Sequence, residues 1–171
     1  IRPGINVRAT TANPVREAAA VAAEHGAILE INAHCRQAEL CKAGCGETLL
    51  HNPERLEPLV AAAADAGADV SVKVRAELSG VGLVSLAQRI EAAGADAIHV
   101  DAMDSEAIVQ QLSAETALFT IANNGVRNRE TVREYLGYGA DAVSVGRLSD
   151  DPRVLSRVSE SVTELSREGR Q

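Results

Sequence analysis

The chain of 171 residues is 46% hydrophobic and 24% charged, proportions that are ordinary for one soluble domain with a continuous core. Aromatic residues make up only 2%, which argues against a module that stacks single-stranded nucleic acid on aromatic side chains. The formal net charge of -7 argues against sequence-independent binding to the phosphate backbone of nucleic acids. Nucleic-acid binding would therefore need a local basic patch.

No run approaches the roughly 18 consecutive apolar residues of a membrane span, and no charged-then-apolar leader is present. The three cysteines, Cys35, Cys41 and Cys45, are an odd number crowded into one short segment. That pattern favours free thiols in a reducing compartment over a disulfide framework. We therefore expect a cytoplasmic protein without membrane contacts.

A short motif of Gly, Ala and often Asp recurs before short strands. It marks junctions from helix to strand, because Gly ends a helix in a left-handed turn. Asn or Asp followed by Pro marks several helix starts. In chain order we predict a strand over 5–10, a helix from Asn13-Pro14, a Gly-Ala motif with its strand within 26–32, and a helix over 54–66 after Asn52-Pro53. Gly-Ala motifs with their strands follow within 67–73 and 94–101, then a helix over 106–112 after Ser105 and a strand over 118–123. The series ends with a helix over 129–137 after Asn128, a Gly-Ala motif with its strand within 139–146 and a last helix from Asp151-Pro152.

This alternation of strands and helices predicts right-handed crossovers and a parallel sheet. One face of the strands is apolar, and the other carries Asn6, Arg8, Glu30, Asn32, Ser71, Lys73, Arg75, His99, Asp101 and Ser144. A polar inner face favours a (β/α)-barrel over a doubly wound sheet, where helices would bury these groups.

Six strands are too few for an eight-stranded barrel, which typically needs about 250 residues. We therefore predict an α/β fold in which residues 1–171 form a single, N-terminally incomplete (β/α)8 TIM barrel of about six βα units, corresponding to strands 3 to 8. Two N-terminal units would have been removed, be disordered or be supplied otherwise. Exposed strand edges would invite pairing with another chain, so a homo-oligomer is one expectation.

The segment after the strand at 26–32 presents His34, Cys35 and Arg36 on a loop that ends near Gly44 and Gly46. A thiol beside His and Arg is pushed toward thiolate or serves as a proton donor. The alternative is a small buried thiol without chemistry.

Zinc is a rival interpretation of the same segment, because the cysteines with His34 or His51 could supply four ligands. The spacing lacks the Cys-x2-4-Cys knuckle of structural zinc sites, so we predict no metal site.

Gly125 and Gly146 follow later strands, at turns where backbone N–H groups and helix N-termini can bind a phosphate. The guanidinium group of Arg147 adds a positive charge and paired N–H donors there. The alternative is that these glycines only permit tight turns. Lys73 points inward; its alternative role is a structural ion pair with Glu30 or Asp101.

Four motifs together resemble the tRNA-dihydrouridine synthases, which are flavin-dependent (β/α)-barrel enzymes. The loop that contains Asn32 and Cys35 resembles their Asn-x-Gly-Cys-Pro, followed by Gly-x-Gly-x-x-Leu-Leu. Residues 72–75 resemble their Lys-x-Arg strand, 121–125 their Ala-Asn-Gly and 145–147 their Ile-Gly-Arg. The resemblance covers residues 5–150 and is greatest for barrel-only archaeal relatives of the family.

This resemblance implies FMN, with Lys73 near its ring and ribityl chain and with Asn124, Gly125, Gly146 and Arg147 around its phosphate. It also implies that Cys35 donates a proton to a pyrimidine while reduced flavin delivers hydride, with NAD(P)H as the electron donor. Because the first strand ends of this fold line the flavin ring, we expect the 171-residue chain to bind FMN weakly or not at all.

The chain departs from the family around the substrate. His34 and Arg36 flank the cysteine in place of Gly and Pro, Arg8 replaces a Gln, and Asp101-Ala-Met replaces His-Gly-Arg. We therefore assign substrate binding to a set of five residues: Asn32, His34, Arg36, Arg75 and Asp101. After the last strand only one helix remains, so we expect the family's RNA-binding domain to be absent, which weakens tRNA as the substrate.

The expected function is an FMN-dependent oxidoreductase acting on the C5–C6 bond of a pyrimidine, free or in tRNA. One alternative is a dihydroorotate dehydrogenase-type flavoenzyme acting on a free small molecule, because those enzymes also place Cys after an Asn-x-x-Cys strand end. The other is a non-catalytic barrel that binds phosphate or flavin.

Overall fold

The computed structural model describes residues 2–168 as an alternating series of strands and helices. The elements are β1 (Gly4–Val7), α1 (Ala12–Glu24), β2 (Ile28–Asn32), α2 (Ala38–Ala43), α3 (Pro53–Asp65), β3 (Asp69–Arg75), α4 (Leu83–Ala92), β4 (Ala97–Asp101), α5 (Ile108–Glu115), β5 (Phe119–Asn123), α6 (Arg129–Gly137), β6 (Ala142–Ser144) and α7 (Pro152–Glu168). Short 3-10 turns cover Gly46–Leu49 and Arg147–Asp150.

The strands form one six-stranded sheet in the order β1-β2-β3-β4-β5-β6, and every neighbouring pair is parallel. Within residues 2–168 the sheet does not close, because β1 and β6 each pair on one side only. The predicted α/β architecture, a partial (β/α) barrel of six units, is confirmed.

The outer face of the sheet packs against the helices and forms the core. Fully buried strand residues there include Leu29, Ile31, Val70, Val72 and Ile98. The inner face carries polar side chains that hydrogen-bond to one another, as the alternation of apolar and polar residues along the strands predicted. This division leaves the inner face available for ligand contacts.

Glycines end the helices before the strands as predicted, with positive φ values of 61° at Gly26 and 101° at Gly94. Asn128 caps α6: its Oδ1 accepts from the N–H of Thr131 (3.0 Å), and Thr131 Oγ1 accepts from the N–H of Asn128 (3.2 Å).

Two predicted helix starts were wrong. α1 begins at Ala12 with Thr11 as its N-cap, so Asn13 and Pro14 lie inside the first turn. α5 begins at Ile108, because the residues after Ser105 form a turn first. The first strand ends at Val7 instead of residue 10, and the sequence analysis did not identify α2 or α4.

None of the helices in the described part of the chain combines the length and apolarity needed to span a bilayer.

Candidate functional site

A cleft of about 580 Å³ opens at the carboxyl ends of the strands. Every strand contributes to it, either through its last residues or through the loop that follows it. The main polar lining residues are Arg8, Cys35, Lys73, Asp101, Asn124 and Arg147. Parallel strands place their carboxyl ends at one rim, and barrel enzymes carry their sites there.

The loop that carries Cys35 is held from both sides. Asn32 Oδ1 accepts hydrogen bonds from the backbone N–H groups of His34 (3.2 Å) and Cys35 (3.0 Å). The Cys35 carbonyl accepts from the N–H of Glu47 (3.0 Å). Gly46 passes so close that a Cβ there would lie 2.2 Å from the Cys35 carbonyl oxygen, and its φ is 62°. Only glycine fits at position 46, and the loop geometry depends on it.

Asp101 joins the cysteine loop to the loop after β5. His34 Nε2 lies 2.7 Å from Asp101 Oδ2, and Asn124 Nδ2 donates to Asp101 Oδ1 at 2.8 Å. The hydrogen bond from His34, with that from Asn124, holds the pKa of Asp101 far below its ordinary value despite partial burial. Asp101 therefore remains a carboxylate at neutral pH.

Lys73 extends from β3 into the cleft and makes no salt bridge within residues 2–168. Within residues 2–168 neither Glu30 nor Asp101 forms a salt bridge with Lys73, since those carboxylates contact His99 and His34, although the charge of Lys73 lowers the pKa of Glu30. Lys73 is thus available to a ligand.

Gly125 and Gly146 form the opposite side of the cleft, next to Arg147. Gly125 has a φ of 67° and Asn124 a φ of 98°. Tyr135 on α6 supports this turn, since its hydroxyl donates to the Asn124 carbonyl at 2.9 Å. Within residues 2–168 the N–H groups of the two glycines donate no hydrogen bond, so they are free to meet an anion.

Two predicted substrate-binding residues do not line the cleft. Asn32 is buried, and its amide holds the cysteine loop. Arg75 is also buried, 3.7 Å from a carboxylate oxygen of Glu47 and 3.7 Å from one of Glu77. These positions give both residues supporting roles. His34, Arg36 and Asp101 do line the cleft.

Five lining residues were not assigned a role from the sequence: Arg8, Met103, Asn123, Val126 and Leu148. Alternation along β5 could have identified Asn123, because it points to the same inner face as its neighbours on β4 and β6.

The two remaining cysteines support the loop. Cys41 Sγ donates weakly to the Cys35 carbonyl at 3.5 Å, and burial raises the pKa of the Cys45 thiol. Across residues 2–168, no group of three or more His, Cys, Asp or Glu side chains is arranged to hold a metal ion.

A second cavity of about 530 Å³ lies at the amino ends of the strands, between Pro3, Ile28 and Phe119. None of the predicted site residues lines it, and (β/α) barrels do not place their chemistry at that end.

Comparison with solved structures shows the fold. The chain matches DHODH of Eimeria tenella, solved in complex with ferulenol, with a TM-score of 0.71 at 16% identity, over 91% of this chain and 54% of that one. It also matches an IMP dehydrogenase/GMP reductase-like protein of Corynebacterium glutamicum with a TM-score of 0.68 at 20% identity, over 98% of this chain and 54% of that one.

Comparison of sequences adds a relative and a family. The chain is 27% identical to the uncharacterized protein MJ0144 of Methanocaldococcus jannaschii over 96% of its own length, and it spans 64% of that protein. The family model described as dihydrouridine synthase (Dus) matches residues 6–169. With nearly the whole chain matched, this protein belongs to the dihydrouridine synthase family.

Proposed function

We propose that this protein is an FMN-dependent oxidoreductase of the dihydrouridine synthase type that acts on the C5–C6 bond of a pyrimidine. One observation carries the proposal: Cys35, Lys73, Asn124 and Arg147, which come from four separate loops or strands, line the same cleft. Family membership and the barrel fold support the same interpretation.

The cleft residues fit FMN. The volume of about 580 Å³ falls within the range of small-molecule and cofactor sites. Lys73 and Arg147 bring two positive charges that form no salt bridge among residues 2–168, and the glycine N–H groups beside Arg147 suit a phosphate. We place the phosphate at Asn124, Gly125, Gly146 and Arg147, and the ring near Lys73. Bound there, FMN supplies hydride transfer.

The chain's own residues hold the substrate and move the proton. The Cys35 thiol stands at the cleft wall in a fixed loop, where it can give a proton to a pyrimidine carbon. Asp101 fixes the orientation of His34 next to it, leaving His34 Nδ1 for the substrate. NAD(P)H is the proposed electron donor.

The cofactor assignment is tested by titrating FMN, up to millimolar concentration, into the 15N-labelled chain. We expect amide signals of Gly125, Gly146 and Lys73 to shift, and Lys73→Ala to weaken binding about tenfold, as expected for the loss of one charged hydrogen bond. Lys42→Ala is the matched control, since Lys42 is the one other lysine. Shifts confined to other surfaces, or equal effects of the two variants, would contradict the assignment.

A second candidate is the same chemistry on a free, anionic dihydropyrimidine such as dihydroorotate. Arg8 and Arg36 line the cleft where the family has uncharged residues, and they form no salt bridge within the described part of the chain. The carboxylate of such a substrate would suit this pair, because arginine forms bidentate hydrogen bonds with carboxylates.

The two candidates separate in a turnover assay with FMN, comparing unmodified tRNA plus NADPH with dihydroorotate. Cys35→Ala should lower turnover of the true substrate by about 10²- to 10⁴-fold, the usual contribution of a general acid or base. Cys41→Ala should leave turnover near the wild-type rate. Flavin binding without turnover of either substrate would instead favour the non-catalytic alternative.

A further inference from the structure

A chain of hydrogen bonds runs along the inner face of the sheet to the cysteine loop. Asn6 Nδ2 donates to Glu30 Oε1 at 2.7 Å, and Asn32 Nδ2 donates to Asn6 Oδ1 at 3.1 Å. Asn32 Oδ1 in turn accepts from the N–H groups of His34 and Cys35. We call this the cysteine arm of Glu30.

A second chain leaves the other oxygen of Glu30 and reaches the glycine side of the cleft. Glu30 Oε2 lies 2.7 Å from His99 Nδ1, and Asn123 Nδ2 lies 3.3 Å from His99 Nε2. Asn123 Nδ2 also donates to Ser144 Oγ at 3.0 Å. The other end of that amide, Oδ1, lies 3.9 Å from the position of a Cβ on Gly146. We call this the glycine arm.

The direction of both arms follows from the chemistry of one group. A carboxylate only accepts hydrogen bonds, so Asn6 must turn its NH2 toward Glu30 and its oxygen toward Asn32. Asn32 must then give its NH2 to Asn6 and its oxygen to the cysteine loop. In the same way Glu30 requires a proton on His99 Nδ1, and His99 Nε2 then accepts from Asn123.

Glu30 is suited to this role because it is ionised inside the barrel. Burial alone would raise its pKa, but the hydrogen bond from His99 and the electrostatic interaction with it, the hydrogen bond from Asn6 and the charge of Lys73 lower the pKa below the ordinary value. Its side chain is 19% exposed and that of His99 10% exposed, so water competes little for these bonds.

We propose that Glu30 is a positioning residue that sets, through its two arms, the donor and acceptor directions of the Asn32 and Asn123 amides at the cleft. Asn32 thereby holds the Cys35 loop, and Asn123 presents an acceptor beside Gly146, which selects a ligand with a hydrogen-bond donor there. The inference rests on the proposed function only in taking this cleft as the site.

A neutral amide at position 30 tests the proposal, because it accepts on one side only. In Glu30→Gln one arm must reverse. Reversal of the cysteine arm would raise the hydrogen-exchange rates of the His34 and Cys35 amides about tenfold, the effect of losing a typical hydrogen bond. Reversal of the glycine arm would move the His99 ring proton from Nδ1 to Nε2, which 15N spectra of the ring detect.

The decisive variant moves the carboxylate by one position along the cysteine arm. Asn6→Asp alone places a second carboxylate next to that of Glu30, and their repulsion should disturb the cysteine arm at neutral pH. In the double variant Glu30→Gln/Asn6→Asp, the new carboxylate at position 6 accepts from Asn32 and from the NH2 of the new amide at position 30. The oxygen of that amide then accepts from His99. Both arms regain their original directions, at the same net charge as the wild type.

We expect the double variant to restore the exchange rates to within about twofold of wild type and to return the His99 proton to Nδ1. Glu57→Gln, the same charge change on the outer face of α3, should alter neither measurement. Unchanged measurements in Glu30→Gln would overturn the proposal, as would a double variant that sums the two single defects or fails to fold. Because these measurements need no flavin, a failed FMN titration would leave this result unaffected, and the two failures are distinguishable.

Discussion

At the scale of single residues, Asp101 has the clearest electrostatic role. It accepts hydrogen bonds from His34 and Asn124 and so ties two loops of the cleft together. Its pKa is lowered on folding, chiefly by the bond with His34. A group with a lowered pKa stabilises the fold above its unfolded pKa, near 3.9 for Asp, and loses that contribution as the pH falls through the folded value.

We therefore expect Asp101→Asn to lower the free energy of unfolding by about 1–2 kcal/mol at pH 7, the range for hydrogen bonds to a charged group at a partly open site. The difference from wild type should shrink as the pH falls below about 4. Urea unfolding at pH 7, 5 and 3 measures this. Asp65→Asn, on an exposed part of α3, is the control; a constant difference at all three pH values would contradict the argument.

The sequence could place Cys35, Lys73, Asn124 and Arg147 at one rim, because residues at the ends of parallel strands must meet there. It could not give the direction of the Asn32 amide, which depends on the hydrogen-bond chain from Glu30. Nor could it show that Arg75 is buried, because Glu47 reaches it from a 3-10 turn that has no periodic pattern.

At the scale of elements, α6 supports the glycine side of the cleft. Tyr135 is buried, and its hydroxyl donates to the carbonyls of Asn124 (2.9 Å) and Asn123 (3.4 Å). Burial, together with nearby carboxylates, raises the pKa of Tyr135 to about 12, so the hydroxyl keeps its proton and remains a donor. Asn124 has a strained positive φ, and this bond helps to hold it.

Tyr135→Phe removes that donor and keeps the ring. We expect a loss of about 1 kcal/mol in the free energy of unfolding, typical of one hydrogen bond, and a change in the NMR chemical shift of the Gly125 amide. Tyr138→Phe is the control, because it changes the neighbouring tyrosine at the end of the same helix. Equal Gly125 shifts in both variants would show that Tyr135 does not support the turn.

Element boundaries were predictable only where local chemistry decides them. Asn128 and Thr131 cap each other's backbone, and the predicted start of α6 is correct. Asn13-Pro14 has the favoured cap composition, but Thr11 before it is also a good cap, and α1 begins one residue earlier than Asn13. Competing caps a few residues apart cannot be ranked without the packing of the helix.

At the scale of the whole molecule, the open sheet leaves β1 and β6 as edges within residues 2–168. The residues of β6 are only half-buried. The N–H of Asp141 donates to the Thr120 carbonyl at 2.9 Å, so alternate residues from there face β5, and the N–H of Ala142 faces the open edge. Such an edge favours pairing with a second chain.

We expect sedimentation velocity to show association of the chain that grows with concentration, and Ala142→Pro to weaken it several-fold with little change in unfolding free energy. Val143→Pro is the matched control, since its N–H faces β5 and its loss should destabilise the fold. A monomer at every concentration would contradict the expected pairing.

The order of the strands in the sheet is also their order in the chain. Each new βα unit therefore needs only the unit synthesised just before it as a pairing partner. On a ribosome, the sheet can grow one strand at a time from β1 to β6, with no strand waiting for a distant segment still to be translated. The cleft, which needs Gly146, Arg147 and Leu148 after β6, is completed only once the last strand has been made.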